Sequence, residues 1–132
     1  MIYILDTNII SDLIVGIKST TSAFENHGGA GDTLGLCQPV YYELMRGFMW
    51  KGAGRKRYIF ETIIMPRLSP INLTNLDWQQ AAAFWAQTVR QGRQLSDIDL
   101  LIAAIAHRLN ATIASSDTDF DSLSVQRADW RT

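Results

Sequence analysis

Two aspartates closely follow short apolar segments that have the composition of buried β-strands. Asp6 comes directly after residues 2–5, and Asp117 comes just after residues 111–115. Ligands of open α/β sheets bind beyond the carboxyl ends of the strands, so both carboxylates are candidates for catalysis or metal binding. Each has a structural alternative, because Asp6 would also cap a following helix and Asp117 would also stabilise a turn.

Glu43 lies beside the apolar face of a predicted helix. Its neighbours Val40 and Leu44 have helical spacing, so the Glu43 side chain projects from or beside that face. Burying an ionised carboxylate without a partner is costly, and a partner is therefore expected. A salt bridge to Arg46, three residues further along the chain, is the structural alternative to a functional role.

Asp99 has a similar position near the start of another predicted helix. Ile102 and Ala103 follow it at helical spacing, which places its carboxylate on a face of apolar and small residues. Helix capping is the alternative, since Ser96 suits an N-cap and Asp99 then occupies the third helical position. Asp97 is a further acid in the same turn.

These four acids are expected to converge at one edge of a parallel sheet. Like charges cannot all stay ionised there without a counter-ion, and a hard divalent cation is the simplest one. The chain has one cysteine, Cys37, and two histidines, His27 and His107, so neither a Cys-rich zinc site nor a His-based cage is expected. Oxygen ligands alone favour Mg²⁺ or Mn²⁺, which also accept phosphate oxygens.

The elements that position these acids are predicted to be strands and helices that alternate along the chain. The strands are residues 2–5, 33–38, 68–73 and 111–115, and the helices are residues 9–15, 39–48, 55–65, 77–90 and 98–109, with breaks at residues 28–31 and 52–54. This alternation predicts an α/β three-layer sandwich with a mostly parallel central sheet. Pro70 suits only an edge of that sheet, because proline cannot donate to the ladder. Without repeats or linkers, residues 1–132 are expected to form one domain.

Composition excludes several classes of protein. The 132 residues carry a net charge of −1, with 47% hydrophobic and 19% charged residues, so a disordered chain is not expected. The longest apolar run is residues 100–106, far shorter than the ~20 residues that span a bilayer. The N-terminal apolar segment lacks a preceding Lys or Arg and is interrupted by Asp6, unlike a signal peptide. We therefore expect a cytoplasmic protein that does not contact a membrane.

Four segments in order resemble the motifs of PIN domains (PilT N-terminus). They are IYILDTNII at residues 2–10, YELMRG at 42–47, DLLIAA at 99–104 and SSDTDF at 115–120. The size of the chain is similar to that of the VapC-like toxins of type II toxin–antitoxin pairs. The resemblance implies that Asp6, Glu43, Asp99 and Asp117 are the catalytic and metal-binding acids, with Asn8 and Ser115 as supporting polar groups.

Some residues depart from the pattern of that family. Ser115 stands where many relatives have Thr, which keeps the hydroxyl group, and Gln38-Pro39 stands where Ser is common. Asp97 is an extra acid two residues before Asp99, and Asp119 is one two residues after Asp117. The choices between Asp97 and Asp99, and between Asp117 and Asp119, therefore stay open at this stage.

The resemblance implies a metal-dependent endoribonuclease that hydrolyses RNA phosphodiesters. Water is the expected nucleophile, because no Ser-His-Asp or Cys-His arrangement is found among the motifs. The resemblance also implies a homodimer and an antitoxin whose C-terminal segment lies over the active-site groove. At least one residue of the apolar run Phe48-Met49-Trp50 is expected to face outward, where it would suit either contact.

A basic segment follows Glu43 and suits a polyanionic substrate. Five cations without an intervening acid occupy it: Arg46, Lys51, Arg55, Lys56 and Arg57. Contacts of such residues with phosphates supply affinity without sequence information. A solvated helix end is the alternative explanation of this charge run.

Three functions are alternatives to nuclease activity. An aspartyl-phosphate phosphatase or a receiver domain is disfavoured, because Asn8 replaces the second acid and no lysine follows Lys56. The stronger alternative is a PIN-fold module that binds RNA or a partner protein without cutting. The presence of all four acids favours the nuclease.

Overall fold

The computed structural model describes Met1 to Thr132, and its centre is a five-stranded sheet in which all strands are parallel. The strands are β1 (Ile2–Leu5), β2 (Thr33–Cys37), β3 (Ser69–Ile71), β4 (Thr112–Ala114) and β5 (Gln126–Ala128). Their order across the sheet is β3-β2-β1-β4-β5. Tyr3 is in register with Leu34 on one side and Thr112 on the other. The predicted α/β architecture is confirmed, and β3, which contains Pro70, is an edge strand.

Six α-helices connect and cover the strands. They are α1 (Thr7–Val15), α2 (Lys18–Gly29), α3 (Gln38–Lys51), α4 (Gly54–Ile59), α5 (Asn75–Arg90) and α6 (Asp97–Leu109). None of them is long and apolar enough to cross a bilayer. Helix α6 packs at the centre against α5 and α3, and its residues from Leu100 to Ala106 are all buried. Its apolar character on all sides therefore reflects a core position.

Local sequence signals explain where several helices begin and end. Asp6 caps α1, and Gly16 ends it in the left-handed conformation with φ of 81°. Thr74 and Asp77 form a reciprocal capping box at the start of α5. Asn110 ends α6 with φ of 51°, a conformation that Asn tolerates better than most residues. The Asp6 cap places the first turn of α1 at the carboxyl end of β1.

The structure differs from the prediction in three segments. The helix predicted over residues 55–65 is divided into α4, a π-helical turn (Phe60–Ile64) and a 3-10 turn (Met65–Arg67), with Pro66 in the last of these. Helix α2 includes Gly28 and Gly29, which were predicted to form a loop. Strand β5 was not predicted, because three residues with two polar side chains lack a strand-like pattern; pairing with β4 creates it.

Helix α5 packs on α6, and its tryptophans do not belong to the packed face. Its buried residues are Asp77, Ala81, Phe84 and Thr88. Trp78 and Trp85 remain 57% and 53% exposed. The helix was predicted correctly, but Trp78, Trp85 and Val89 form an uncovered apolar stripe on the surface.

Candidate metal and active centre

Asp6 lies at the carboxyl end of the central strand β1 with its carboxylate almost completely buried. Oδ1 accepts a hydrogen bond from the Thr7 amide at 2.8 Å, which caps α1. Oδ2 accepts from the Ser115 hydroxyl at 2.6 Å and from the Asn8 side-chain amide at 3.2 Å. Burial raises the pKa of Asp6, the Ser115 and Thr7 hydrogen bonds oppose this, and the charges of Glu43 and Asp117 add to it. Both the capping role and the clustering of acids are thus present.

Ser115 joins the two strand ends that carry Asp6 and Asp117. Its hydroxyl oxygen accepts from the Asp117 amide at 3.0 Å and from the Asn8 side-chain amide at 3.2 Å, while the hydroxyl donates to Asp6. The carboxylate of Asp117 accepts from the Asp119 amide at 2.9 Å, as in an Asx turn. The supporting groups Asn8 and Ser115 therefore contact the residues that they were predicted to support.

Glu43 is brought to this region from helix α3. Its Oε1 accepts a hydrogen bond from the Thr7 hydroxyl, and its Oε2 lies 3.6 Å from Nη2 of Arg46. The Glu43 side chain is 29% exposed and that of Arg46 is 53% exposed, so this ion pair is largely solvated and weak. Both the predicted salt bridge and the approach to the other acids occur in the structure. The contact between Thr7 and Glu43 was not predicted from the sequence. The position of Thr7 between Asp6 and Asn8, two predicted site residues, was the signal that could have indicated a role for it.

Asp99 faces the other acids from the first turn of α6. Its amide donates to the Ser96 hydroxyl at 3.1 Å, so the predicted cap is also formed. Burial raises the pKa of Asp99 from 3.8 to about 6, and the negative charges of Asp6, Asp117 and Glu43 add to this rise. Asp99 therefore interacts electrostatically with the other three acids, although the four residues come from separate segments of the chain.

The extra acids Asp97 and Asp119 lie outside this cluster. Asp97 is exposed and lines a cleft of about 400 Å³ with Trp78, Trp85, Leu100 and other apolar residues. Asp119 is exposed, and its backbone amide donates to the Asp117 carboxylate, which caps the following turn. The side chains that the structure brings together are thus those of Asp99 and Asp117.

The acid cluster has the properties of a site for a hard cation. Its only ion pair with a protein cation is the solvated one between Glu43 and Arg46. No three of the chain's acidic, His or Cys side chains are close enough to enclose an ion by themselves. Mg²⁺ usually keeps several waters and binds one or two carboxylates. The donors therefore fit a hydrated ion better than a cage in which all four carboxylates contact the metal.

The predicted basic segment lies at the end of α3 and in α4. Arg57 pairs with Glu61 at 2.8 Å, and Arg46 pairs with Glu43. Lys51, Arg55 and Lys56 are exposed and form no ion pair. Three of the five cations are therefore free to contact an anionic ligand.

The arrangement of the strands and helices agrees with comparisons to known families. The model of the PIN domain matches residues 3–126. The chain belongs to the PIN domain family. No curated protein matches the sequence.

Solved structures similar to this PIN domain support the assignment of the fold. VapBC2 from Rickettsia felis, bound to a DNA fragment from its promoter, has a TM-score of 0.85 and 24% identity, covering 98% of this chain and 100% of that one. VapBC-1 from nontypeable Haemophilus influenzae has a TM-score of 0.76 and 23% identity, with both chains fully covered. FitAcB from Neisseria gonorrhoeae has a TM-score of 0.83 and 21% identity, covering 98% of each chain.

Proposed function

We propose that this PIN domain is a metal-dependent endoribonuclease that hydrolyses RNA phosphodiesters and acts as the toxin of a toxin–antitoxin pair. The observation that carries the proposal is the cluster of Asp6, Glu43, Asp99 and Asp117, in which burial and, in addition, the charges of the other three acids raise the pKa of Asp99. The similar structures named VapBC support the toxin assignment. Residues 1–132 act as one nuclease domain in this proposal, and its location is the cytoplasm.

The four acids would hold Mg²⁺ or Mn²⁺ together with water. Such an ion, when bound, supplies an activated water and stabilises charge on the phosphodiester oxygens. Asp6 is the most rigidly held ligand, because three hydrogen bonds fix its carboxylate and its burial keeps it in one position. A carboxylate has about four acceptor positions, so Asp6 keeps one for the ion. Thr7 orients Glu43, and Ser115 orients the Asp117 turn.

The experiment that tests this function is incubation of the purified chain with total RNA. Cleavage is expected with Mg²⁺ or Mn²⁺, should stop with EDTA, and should return when the metal is restored. The Asp99→Asn variant is the matched negative control. RNA binding without any cut product from the wild type would favour the non-catalytic alternative, and mapped RNA ends would identify the cleavage site.

The basic segment is proposed to bind the RNA backbone. Changing Lys51, Arg55 and Lys56 to Gln is expected to weaken RNA binding and to reduce the slope of log affinity against log salt by about 2, since each phosphate contact on a single strand contributes ~0.7. Filter binding at several salt concentrations measures both effects. Arg57→Gln is the control, because Glu61 already neutralises Arg57 and a smaller change is expected. An unchanged slope in the triple variant would rule out this role.

An antitoxin is the proposed protein partner. Of the run Phe48-Met49-Trp50, Phe48 is buried while Met49 and Trp50 are 63% and 88% exposed, which confirms that part of it faces outward. An aromatic side chain beside free cations suits contact with an acidic or amphipathic protein segment. The product of the adjacent reading frame is expected to bind the chain in a pull-down and to inhibit RNA cleavage, with weaker capture by Trp50→Ala. Undiminished RNA cleavage at saturating amounts of that product would contradict the proposal.

A homodimer is the proposed assembly, with the stripe formed by Trp78, Ala82, Trp85 and Val89 of α5 as its contact surface. These side chains are exposed, and the two tryptophans border the cleft that contains Asp97. Large exposed apolar patches are typical of protein interaction sites. A second copy of the chain would cover this stripe.

A further inference from the structure

Two arginines near the C-terminus contact the same pair of residues at the edge of the acid cluster. They are Arg127 in β5 and Arg131 in the segment after it, and the pair is Ser115 and Ser116, here called the serine pair. Each arginine uses Nε and Nη2 on one carboxylate and Nη1 on the serine pair. The same bonding pattern is thus formed twice.

Arg127 connects the serine pair to the acidic turn that follows it. Its Nε and Nη2 donate to the two oxygens of Asp121 at 2.9 and 3.0 Å. Its Nη1 donates to the backbone carbonyl of Ser115 at 3.1 Å. The side chain of Arg127 is only 17% exposed, whereas that of Asp121 is 53% exposed, so this ion pair is partly solvated. The turn that carries Asp117 is therefore held at both ends by one guanidinium.

Arg131 connects the serine pair to helix α1. Its Nε and Nη2 donate to Asp12 at 2.7 and 2.9 Å, and Asp12 also accepts from the Thr20 hydroxyl at 2.9 Å. Its Nη1 donates to the Ser116 hydroxyl at 3.0 Å. Since α1 begins next to Asp6, this contact ties the strand end that carries Ser115 to the helix that Asp6 caps.

The serine pair controls the geometry of two of the acids. The Ser115 hydroxyl contacts the Asp6 carboxylate and accepts from the Asp117 amide. We propose that Arg127 and Arg131 are positioning residues, which hold the serine pair so that Asp6 and Asp117 keep the spacing needed to bind the metal ion. This inference rests on the proposed nuclease function.

The chemistry of the contacts favours positioning over charge neutralisation. Both guanidinium charges are paired with Asp121 and Asp12, which lie outside the acid cluster. The atoms that they contact on the serine pair are a carbonyl and a hydroxyl, which are uncharged. Neither arginine forms an ion pair with Asp6, Asp99 or Asp117, although the charge of Arg127 acts on Asp117 at longer range.

The C-terminal segment has a second anchor besides these contacts. Trp130 lies between the two arginines in the sequence, and its side chain is buried. It stacks on His27 with ring centroids 5.2 Å apart and packs against Tyr3. This aromatic cluster contributes to holding the terminal segment independently of the arginines. The serine contacts of the arginines therefore have a consequence beyond attachment of the chain end.

Lysine substitutions test the proposal, because lysine keeps the charge but cannot form a fork of parallel hydrogen bonds. Arg127→Lys, Arg131→Lys and the double variant are compared with Arg108→Lys. Arg108 is the matched control, since it forms the same kind of fork with Asp77 at 2.8 and 3.0 Å and a third bond to the carbonyl of Asn72. That fork joins α6 to the start of α5 and does not touch the serine pair.

Three properties are measured at a temperature well below the Tm of every variant. They are the kinetic constants kcat and KM for RNA cleavage, the Mn²⁺ concentration that gives half-maximal binding to the protein, and the rate of hydrogen exchange at the Asp117 amide. In the double variant kcat is expected to fall about 10- to 100-fold with KM for RNA unchanged, and the half-saturating Mn²⁺ concentration is expected to rise. Exchange of the Asp117 amide is expected to become faster, because its acceptor is the Ser115 hydroxyl. Arg108→Lys is expected to lower Tm and to leave all three quantities at the wild-type level.

Wild-type kcat or wild-type amide exchange in the double variant overturns the proposal, and so does an equal loss of kcat in Arg108→Lys. If the wild type cuts no RNA, the proposed function fails on its own. Mn²⁺ affinity and exchange at Asp117 then still decide whether the arginines position the site.

Discussion

The Asp99→Asn variant is expected to lose RNA cleavage by about 10³-fold while its metal-free form becomes more stable than the wild type at pH 7.5. The loss of activity follows from removing one of the four carboxylates around the proposed ion. The gain in stability follows from the same charge, which is unfavourable when no ion is present. Opposite changes in activity and stability are typical of a functional site that stores electrostatic strain.

The direction of the pH effect follows from the pKa of Asp99. This pKa is about 6 in the folded chain against an ordinary value of 3.8, with burial as the main cause. The proton therefore favours the folded state, and the stability that it confers is complete below pH 3.8 and is lost as the pH rises through about 6. Because Asp99 is only partly buried, Asp99→Asn is expected to recover no more than about 2 kcal/mol at pH 7.5.

Urea unfolding of the metal-free protein between pH 4 and 8 measures this effect. The wild type is expected to lose stability across the range around pH 6, and Asp99→Asn to lose less. Asp97→Asn is the matched control, because Asp97 is exposed and lines a different cleft. Equal cleavage by the wild type and Asp99→Asn would indicate a contaminating nuclease, and loss of cleavage in Asp97→Asn alone would assign the role to Asp97.

Asp6→Asn is a less suitable test of the same site. The Asp6 carboxylate accepts hydrogen bonds from an amide, a hydroxyl and the Asn8 side chain. In Asp6→Asn, the NH₂ group replaces a carboxylate oxygen and faces one of these donors, so two donors meet and one is left without an acceptor. Leaving a buried donor unpaired reduces the free energy of unfolding by about 1–3 kcal/mol. Loss of cleavage in that variant would combine a missing ligand with a weakened fold.

Replacing Trp78 and Trp85 by Glu is expected to dissociate the proposed homodimer. Central interface tryptophans contribute about 2 kcal/mol or more each, so the double variant should raise the dissociation constant by about 10³-fold. Both side chains are more than half exposed in the isolated chain, and their replacement should therefore leave its fold intact. Light scattering over a range of protein concentrations measures the change from dimer to monomer.

Trp50→Glu is the control for the dimer prediction. Trp50 is 88% exposed, but it lies at the end of α3 and is not part of the stripe on α5. This variant should remain dimeric. A wild type that stays monomeric at all concentrations, or a dimer that persists in the Trp78→Glu, Trp85→Glu variant, would exclude the α5 stripe as the contact surface.

The sequence by itself determined the main elements of the fold, because their signals are local. The apolar run before Asp6 predicts β1, and the apolar run before Asp117 predicts β4, which are neighbours in the sheet. Parallel strands place their carboxyl ends at one edge, so the clustering of Asp6 and Asp117 followed from the order of elements. Glu43 and Asp99 were identified because each is an acid beside the apolar face of a predicted helix.

The tertiary structure alone decided which of the neighbouring acids face the cluster and which residues hold them. Asp97 and Asp99 occupy one helical turn, and only the packing of α6 directs Asp99 toward the cluster and Asp97 toward the tryptophans of α5. Arg127 and Arg131 contact the serine pair because β5 pairs with β4, and a strand of three residues has no recognisable pattern in the sequence. Contacts between residues distant in the chain depend on how the elements pack, and the pattern within each element does not contain that information.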